Sequence, residues 1–203
     1  MVPKIVDHEQ RRRQLADAVL RVIARRGGVA GVTNREVAAE SGWSTGILAH
    51  YFTSQHDMLL AALRRAAELQ GNLFRELSRS GGSSVEKLEN LLGSVLPLDP
   101  ERLALTRIFL YFYAEGAANE VTRVEAADYL ASWRRVVRRH VEEAQRDGFL
   151  PGGDPDLLTV QLVGLADGLA THALLDPVVL DQLRANPVLI TSHFPLQPDS
   201  ITS

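Results

Sequence analysis

The stretch Thr33-Asn34-Arg35-Glu36-Val37-Ala38-Ala39-Glu40-Ser41-Gly42-Trp43-Ser44-Thr45-Gly46-Ile47-Leu48-Ala49-His50-Tyr51-Phe52 decides the fold. Thr33 stands three residues before Glu36, the spacing of a capping box, in which hydroxyl and carboxylate satisfy helix-start amides reciprocally. Ala38 is small enough for two helices to cross closely. Gly42, four residues on, can take the positive φ of a tight turn. Ser44 can cap a second helix, expected over about 45–52. Val37, Ile47 and Leu48 are expected to pin that helix onto the first. This is the pattern of a helix-turn-helix, whose short second helix can enter a major groove about 12 Å wide.

Outward from this stretch the periodicity is helical almost everywhere, and no alternating strand pattern stands out. A first helix over about 7–26 carries Leu15, Val19, Val22 and Ile23 on one stripe and ends at Gly27-Gly28. The glycines at 27–31 follow a helix and lack Gly-Lys-Ser/Thr, so they are not a phosphate loop. Ser54 and Asp57 make a box-like start for a long helix over about 55–79, broken by Gly81-Gly82-Ser83-Ser84. Further helices are expected near 84–95, 100–117, 120–147, 155–175 and 178–192, with prolines at starts and gaps and Pro187 breaking the last. The fold class is all-α. The expected division is a DNA-binding domain over 7–53, a helical domain over 54–195 and a disordered tail over 196–203.

Composition narrows the classes. The chain has 203 residues, 45% hydrophobic and 23% charged, an ordinary globular balance. Absent cysteines rule out disulfides, thiol catalysis and thiolate metal sites. No apolar run approaches the roughly 18 residues of a membrane span, and the N-terminus lacks a secretory core. A cytoplasmic protein without membrane contact is therefore expected. Residues 1–65 hold ten Lys/Arg against six Asp/Glu, a surplus of four positive charges. With −3 for the whole chain, the other residues carry −7. This asymmetry suggests a nucleic-acid-facing end on an acidic body.

On these residues the chain resembles the TetR family of bacterial regulators. The resemblance lies in residues 10–60, in Ser44-Thr45-Gly46-Ile47-Leu48-Ala49-His50-Tyr51-Phe52 followed by Met58-Leu59-Leu60. The small residue before His-Tyr-Phe is similar to the choline-responsive BetI branch. The later chain fits more loosely, through helix count and the run at 164–177. The resemblance implies that Thr33 and Arg35 meet the DNA backbone or an edge base. It places Ser44, Thr45 and Gly46 at the start of the recognition helix. It gives His50 and Tyr51 phosphate contacts, with Phe52 packed inward. Gln55 stands where the family usually has a phosphate-holding lysine, so the counterion release of that contact is lost. Arg11-Arg12-Arg13 is read either as a phosphate or minor-groove arm or as a solvated basic face. Trp43 is read either as a turn residue packed on its own domain or as a DNA contact.

In the second half, Gly164 and Gly168 lie four apart on one helix face, with Thr171 or His172 one turn later. Each mid-helix glycine costs about 1 kcal/mol relative to alanine. Close approach of another helix, burying Leu165 and Leu169, would offset that cost. The approaching helix belongs either to the same chain or, as the resemblance implies, to a homodimer. A two-fold dimer presents two recognition helices about one DNA turn apart, hence a palindromic operator. Aromatics cluster at Phe109–Tyr113, with Tyr129 and Trp133 on the next helix. Tyr111, Trp133 and Asp167 are the residues proposed to hold a small-molecule effector. The chemistry implied by the choline-responsive resemblance is an aromatic cage with a carboxylate.

The function expected is that of a ligand-responsive transcriptional regulator, a repressor bound to double-stranded DNA and released by its effector. One rival is a partner-binding protein with a degenerate helix-turn-helix. The other is a small helical enzyme, but no nucleophile elbow, His-Glu-x-x-His or dinucleotide fingerprint occurs. His172 and Asp176 are four apart without a third metal ligand nearby, so neither metal nor cofactor is expected.

Overall fold

Asp-Pro pairs open three helices of the computed structural model, which describes residues 4–186, with side chains from His8 onward. Asp99, Asp154 and Asp176 each accept a backbone N–H of the turn they precede, and proline fills the first helical position. That position has no intrahelical acceptor for an N–H, so proline costs nothing there. Asp caps contribute about 1 kcal/mol each. The helices are α1 (Lys4–Arg26), α2 (Asn34–Ser41), α3 (Thr45–Tyr51), α4 (Gln55–Arg79) and α5 (Ser84–Gly93). They continue with α6 (Pro100–Ala118), α7 (Glu120–Arg146), α8 (Pro155–Leu175) and α9 (Pro177–Ala185). A single 3₁₀ turn at Val29–Gly31 leads into α2. Among the described residues there is no strand, as the periodicity implied. The expected end of the last helix at 192, the break at Pro187 and the tail at 196–203 lie outside the described residues.

Two compact units divide the chain, one formed by residues up to Gln70 with Asp99–Arg123, the other by Gly71–Leu98 with the chain from Val124. This grouping cuts α4 and joins α6 to the N-terminal helices, so it runs differently from the division at 53/54. In the first unit, α1 buries Leu15, Val19, Val22 and Ile23, and α2 and α3 contribute Val37 and Leu48. α6 packs against α1. Arg65 on α4 donates to Asp17 on α1 at 2.7 Å, and Arg12 on α1 pairs with Asp57 on α4.

The second unit has its own core. Phe74 stacks on Trp133 with centroids 4.5 Å apart, amid Leu88, Leu91 and Leu92 of α5 and Val137 and Val141 of α7. α5 starts with a full capping box, Ser83 and Glu86 each satisfying the other's backbone N–H. α8 is long and apolar enough to cross a membrane by length and composition, an exception to the expectation that no such stretch exists. It buries Leu158, Leu162, Val163, Ala166, Ala170 and Ala173 in this core. Its opposite side is apolar too: Leu157, Val160, Gly164, Gly168 and Leu175 are exposed. At 100° per residue these five fall on one face.

Candidate nucleic-acid interface

The helix-turn-helix is built from its local chemistry. Thr33 caps α2 by accepting the Glu36 N–H, and Ser44 caps α3 by accepting the Ile47 N–H. Gly42 closes α2 at φ 74°, the left-handed conformation that a Cβ would strain. Only half of the expected capping box forms at Thr33. The Glu36 carboxylate turns to Arg25 and Arg26 of α1 instead, because two guanidinium groups outbid one exposed amide. These partners, Arg26 first, hold its carboxyl below the usual carboxylate range.

Ile47 differs from its expected role. Val37 and Leu48 are buried and pin α3, but Ile47 is 44% exposed on the outer side. A seven-residue helix has one inward stripe, and Leu48 with the capping residue Phe52 fills it. The outer surface of α2 and α3 then shows Arg35, Thr45, Gly46, Ile47 and His50, all exposed.

Ion pairs sort the basic residues of the first unit. Arg21 and Arg25 engage Glu40, Arg25 and Arg26 engage Glu36, and Arg13 engages Glu68. Arg12 bonds the Tyr51 carbonyl as well as Asp57, so this arginine fastens α1 to the end of α3 and the start of α4. Arg11 lies over the Trp43 ring, 5.7 Å from its centroid. Arg35 takes part in none of these acid pairs and stands exposed on α2. The Arg11-Arg12-Arg13 run is thus not one arm but three separately held groups.

Gln55 donates from Nε2 to the Val32 carbonyl at 2.6 Å. Its amide ties the start of α4 to the segment before α2. Tyr51 is half-buried, with ring contacts to His8 at 4.6 Å, His50 at 5.5 Å and Trp43 at 6.0 Å. His8 escaped the sequence reading because only the tertiary fold brings residue 8 beside residue 50.

The remaining named residues separate between the units. Tyr111 belongs to the first, where burial, followed by its bond to Glu115, raises its hydroxyl above the ordinary range. Glu115 also lies 3.1 Å from His56 Nδ1. Trp133 and Asp167 belong to the second. Trp133 is 2% exposed, and its indole N–H has no hydrogen-bond partner among the described residues. Asp167 is partly buried, and desolvation pushes its carboxyl up to about 6. Gly164, Gly168 and His172 are exposed, Leu165 partly so, and a Cβ at either glycine would meet nothing within 4 Å.

One further cluster bears on the enzyme alternative. Ser78 Oγ lies 2.8 Å from His140 Nε2, and Glu143 Oε2 lies 3.0 Å from Nδ1. The distances resemble a serine relay, and the imidazole is almost wholly buried. The Ser78–His140 contact ties α4 to α7.

Comparison with known proteins agrees with this anatomy. Residues 84–191 match the family described as BetI-type transcriptional repressor, C-terminal. The chain is 31% identical over 189 residues to the HTH-type transcriptional regulator PksA of Bacillus subtilis, covering 93% of this chain and 91% of that one. It is 30% identical over 200 residues to the HTH-type transcriptional regulator BetI of Escherichia coli, covering 96% and 99%. Among solved structures, a transcriptional regulator from Saccharomonospora viridis in complex with choline superposes with TM-score 0.73 at 24% identity, over 90% of this chain and 99% of that one. FadR of Bacillus subtilis in complex with stearoyl-CoA superposes with TM-score 0.64 at 21% identity, over 85% and 92%. With a helix-turn-helix at its N-terminal end and the BetI-type helices behind it, the chain belongs to the TetR family of transcriptional regulators.

Proposed function

We propose that the chain is a repressor that binds a palindromic operator as a homodimer and is released by a small cationic effector. The observation that carries the DNA contact is the sorting of the arginines. Most of the basic residues around the helix-turn-helix are spent on Glu36, Glu40, Asp57 and Glu68, whereas Arg35 is exposed beside α3 with no acid partner among the described residues. A guanidinium left over by the fold is free for phosphate or a base edge. Thr33, Ser44, Thr45, Gly46, His50 and Tyr51 complete the proposed contact surface. Exposed Ile47 suits a thymine methyl. Gln55, held by Val32, positions α4 rather than anchoring phosphate.

Homodimerisation is supported by α8. Its exposed face unites Leu157, Val160, Gly164, Gly168, His172 and Leu175, and among the described residues nothing lies within 4 Å of a Cβ at either glycine. The partner helix that the glycines admit is then a second copy of α8. The effector reading rests on Asp167, a desolvated carboxylate with no ion pair among the described residues, and on the unsatisfied indole of Trp133. A cation relieves the first; the choline bound by the Saccharomonospora viridis relative is of that chemistry. A regulator of this kind works without catalysis, in the cytoplasm with the DNA it binds.

The test is selection of duplexes from a random library by the full chain. A recovered two-fold symmetric site, bound more weakly when choline is present, supports the reading. Recovery of no duplex at low salt removes it.

A further inference from the structure

The aromatic cluster on α1 and α3 remains unexplained by the helix-turn-helix. His8, Trp43, His50 and Tyr51 lie in contact around the Tyr51 ring, with His8 and His50 ring centroids 6.2 Å apart. Both imidazoles are exposed. Rings that only filled a core would be covered; these stand at the surface, on the side of α3 proposed to face DNA.

The charges around the pair are cationic. Arg11 and Arg12 follow His8 by three and four residues on α1, the spacings at which helix side chains neighbour one another. Arg11 is parked on Trp43 of the turn, and Arg12 reaches the Tyr51 carbonyl at the end of α3. The acid from α4, Asp57, is occupied by Arg12 and by the Thr53 amide. Glu9 lines the cleft between α1 and α4 with Arg13, Arg64 and Glu68. A phosphate backbone set against this surface brings negative charge beside both imidazoles, which favours their protonated form in the complex. Histidine is the side chain whose ordinary titration, near pH 6.5, falls where this effect can be felt.

We propose that His8 and Arg11 extend the DNA-contact surface onto α1, and that the His8–His50 pair takes up protons when DNA binds, so that acidification tightens the complex. This rests on the DNA-binding reading above and adds to it a residue outside the helix-turn-helix and a proton linkage. His8 supplies a conditional phosphate contact, Arg11 a permanent one held in place by Trp43.

The test uses the full chain and a duplex that it has itself selected from a random library. Isothermal titration at pH 6.8, at fixed ionic strength, in two buffers of different ionisation enthalpy counts the protons taken up on binding. Net uptake is expected, with affinity rising by up to about tenfold per pH unit for each proton fully linked. His8→Gln should lower the uptake and flatten the pH dependence. His8→Arg, with a fixed charge, should bind more tightly than the wild type at pH 8 and show the same flattening. Proton uptake from His140 or Asp167 would persist in both variants. Equal uptake in wild type and His8→Gln, or none in either, overturns the proposal while leaving DNA binding intact. Failure to select any duplex overturns both.

Discussion

Arg35 and Asp167 are opposite kinds of unpaired charge. Arg35 is exposed, so leaving it without an acid costs the free protein little. Replacing it with alanine should leave thermal stability unchanged, weaken DNA binding by about 1–3 kcal/mol and lower the salt slope by about one per subunit. Fluorescence anisotropy across a salt series reads both. Asp167 is desolvated, and its carboxyl is raised from 3.8 to about 6. The folded chain therefore holds this proton more tightly than the unfolded one. Full stability on its account is present below pH 3.8 and is lost as pH rises through about 6. Asp167→Asn should then raise the melting temperature of the effector-free protein at pH 7.5 but not at pH 4. The gain is of the order of 2 kcal/mol. Equal melting shifts at the two pH values would contradict it. The same variant should lose its response to choline, read by the operator titration.

At the scale of elements, caps and turns were legible because they are local. Gly42, the hydroxyls of Thr33, Ser44 and Ser54, and the prolines at 100, 155 and 177 act within four residues of their own position. What failed was whatever depended on a distant partner. Glu36 left the cap for Arg25 and Arg26, Gln55 turned to Val32, and Ile47 pointed outward once Leu48 had filled the inward stripe. The pairing of His8 with His50 had no sequence signal, since the contact spans α1 and α3. The α8 glycines were legible as unusual, but the open space beside them had no sequence signal. Gly164→Leu with Gly168→Leu should fold, since a Cβ at either position meets none of the described residues within 4 Å. With the homodimer proposed above, it should shift the assembly toward monomer in sedimentation equilibrium and weaken operator binding. A variant that stays dimeric would place the interface elsewhere.

For the whole molecule, the acidic balance of the chain and the basic surplus of residues 1–65 resolve into different uses. Much of the surplus holds α1, α2 and α4 together through ion pairs, and a small remainder faces outward. DNA affinity should thus depend on few charges and respond moderately to salt. If the proposed effector weakens DNA binding, DNA weakens effector binding by the same factor. Typical couplings are about 1–3 kcal/mol. The most direct measurement is an anisotropy titration of a self-selected duplex with the full chain and with Arg35→Ala, at low and high salt. The account predicts saturable binding at two subunits per duplex, a clear loss of affinity for Arg35→Ala and a shallower salt slope. Equal binding by both proteins, or none by either at low salt, would contradict it.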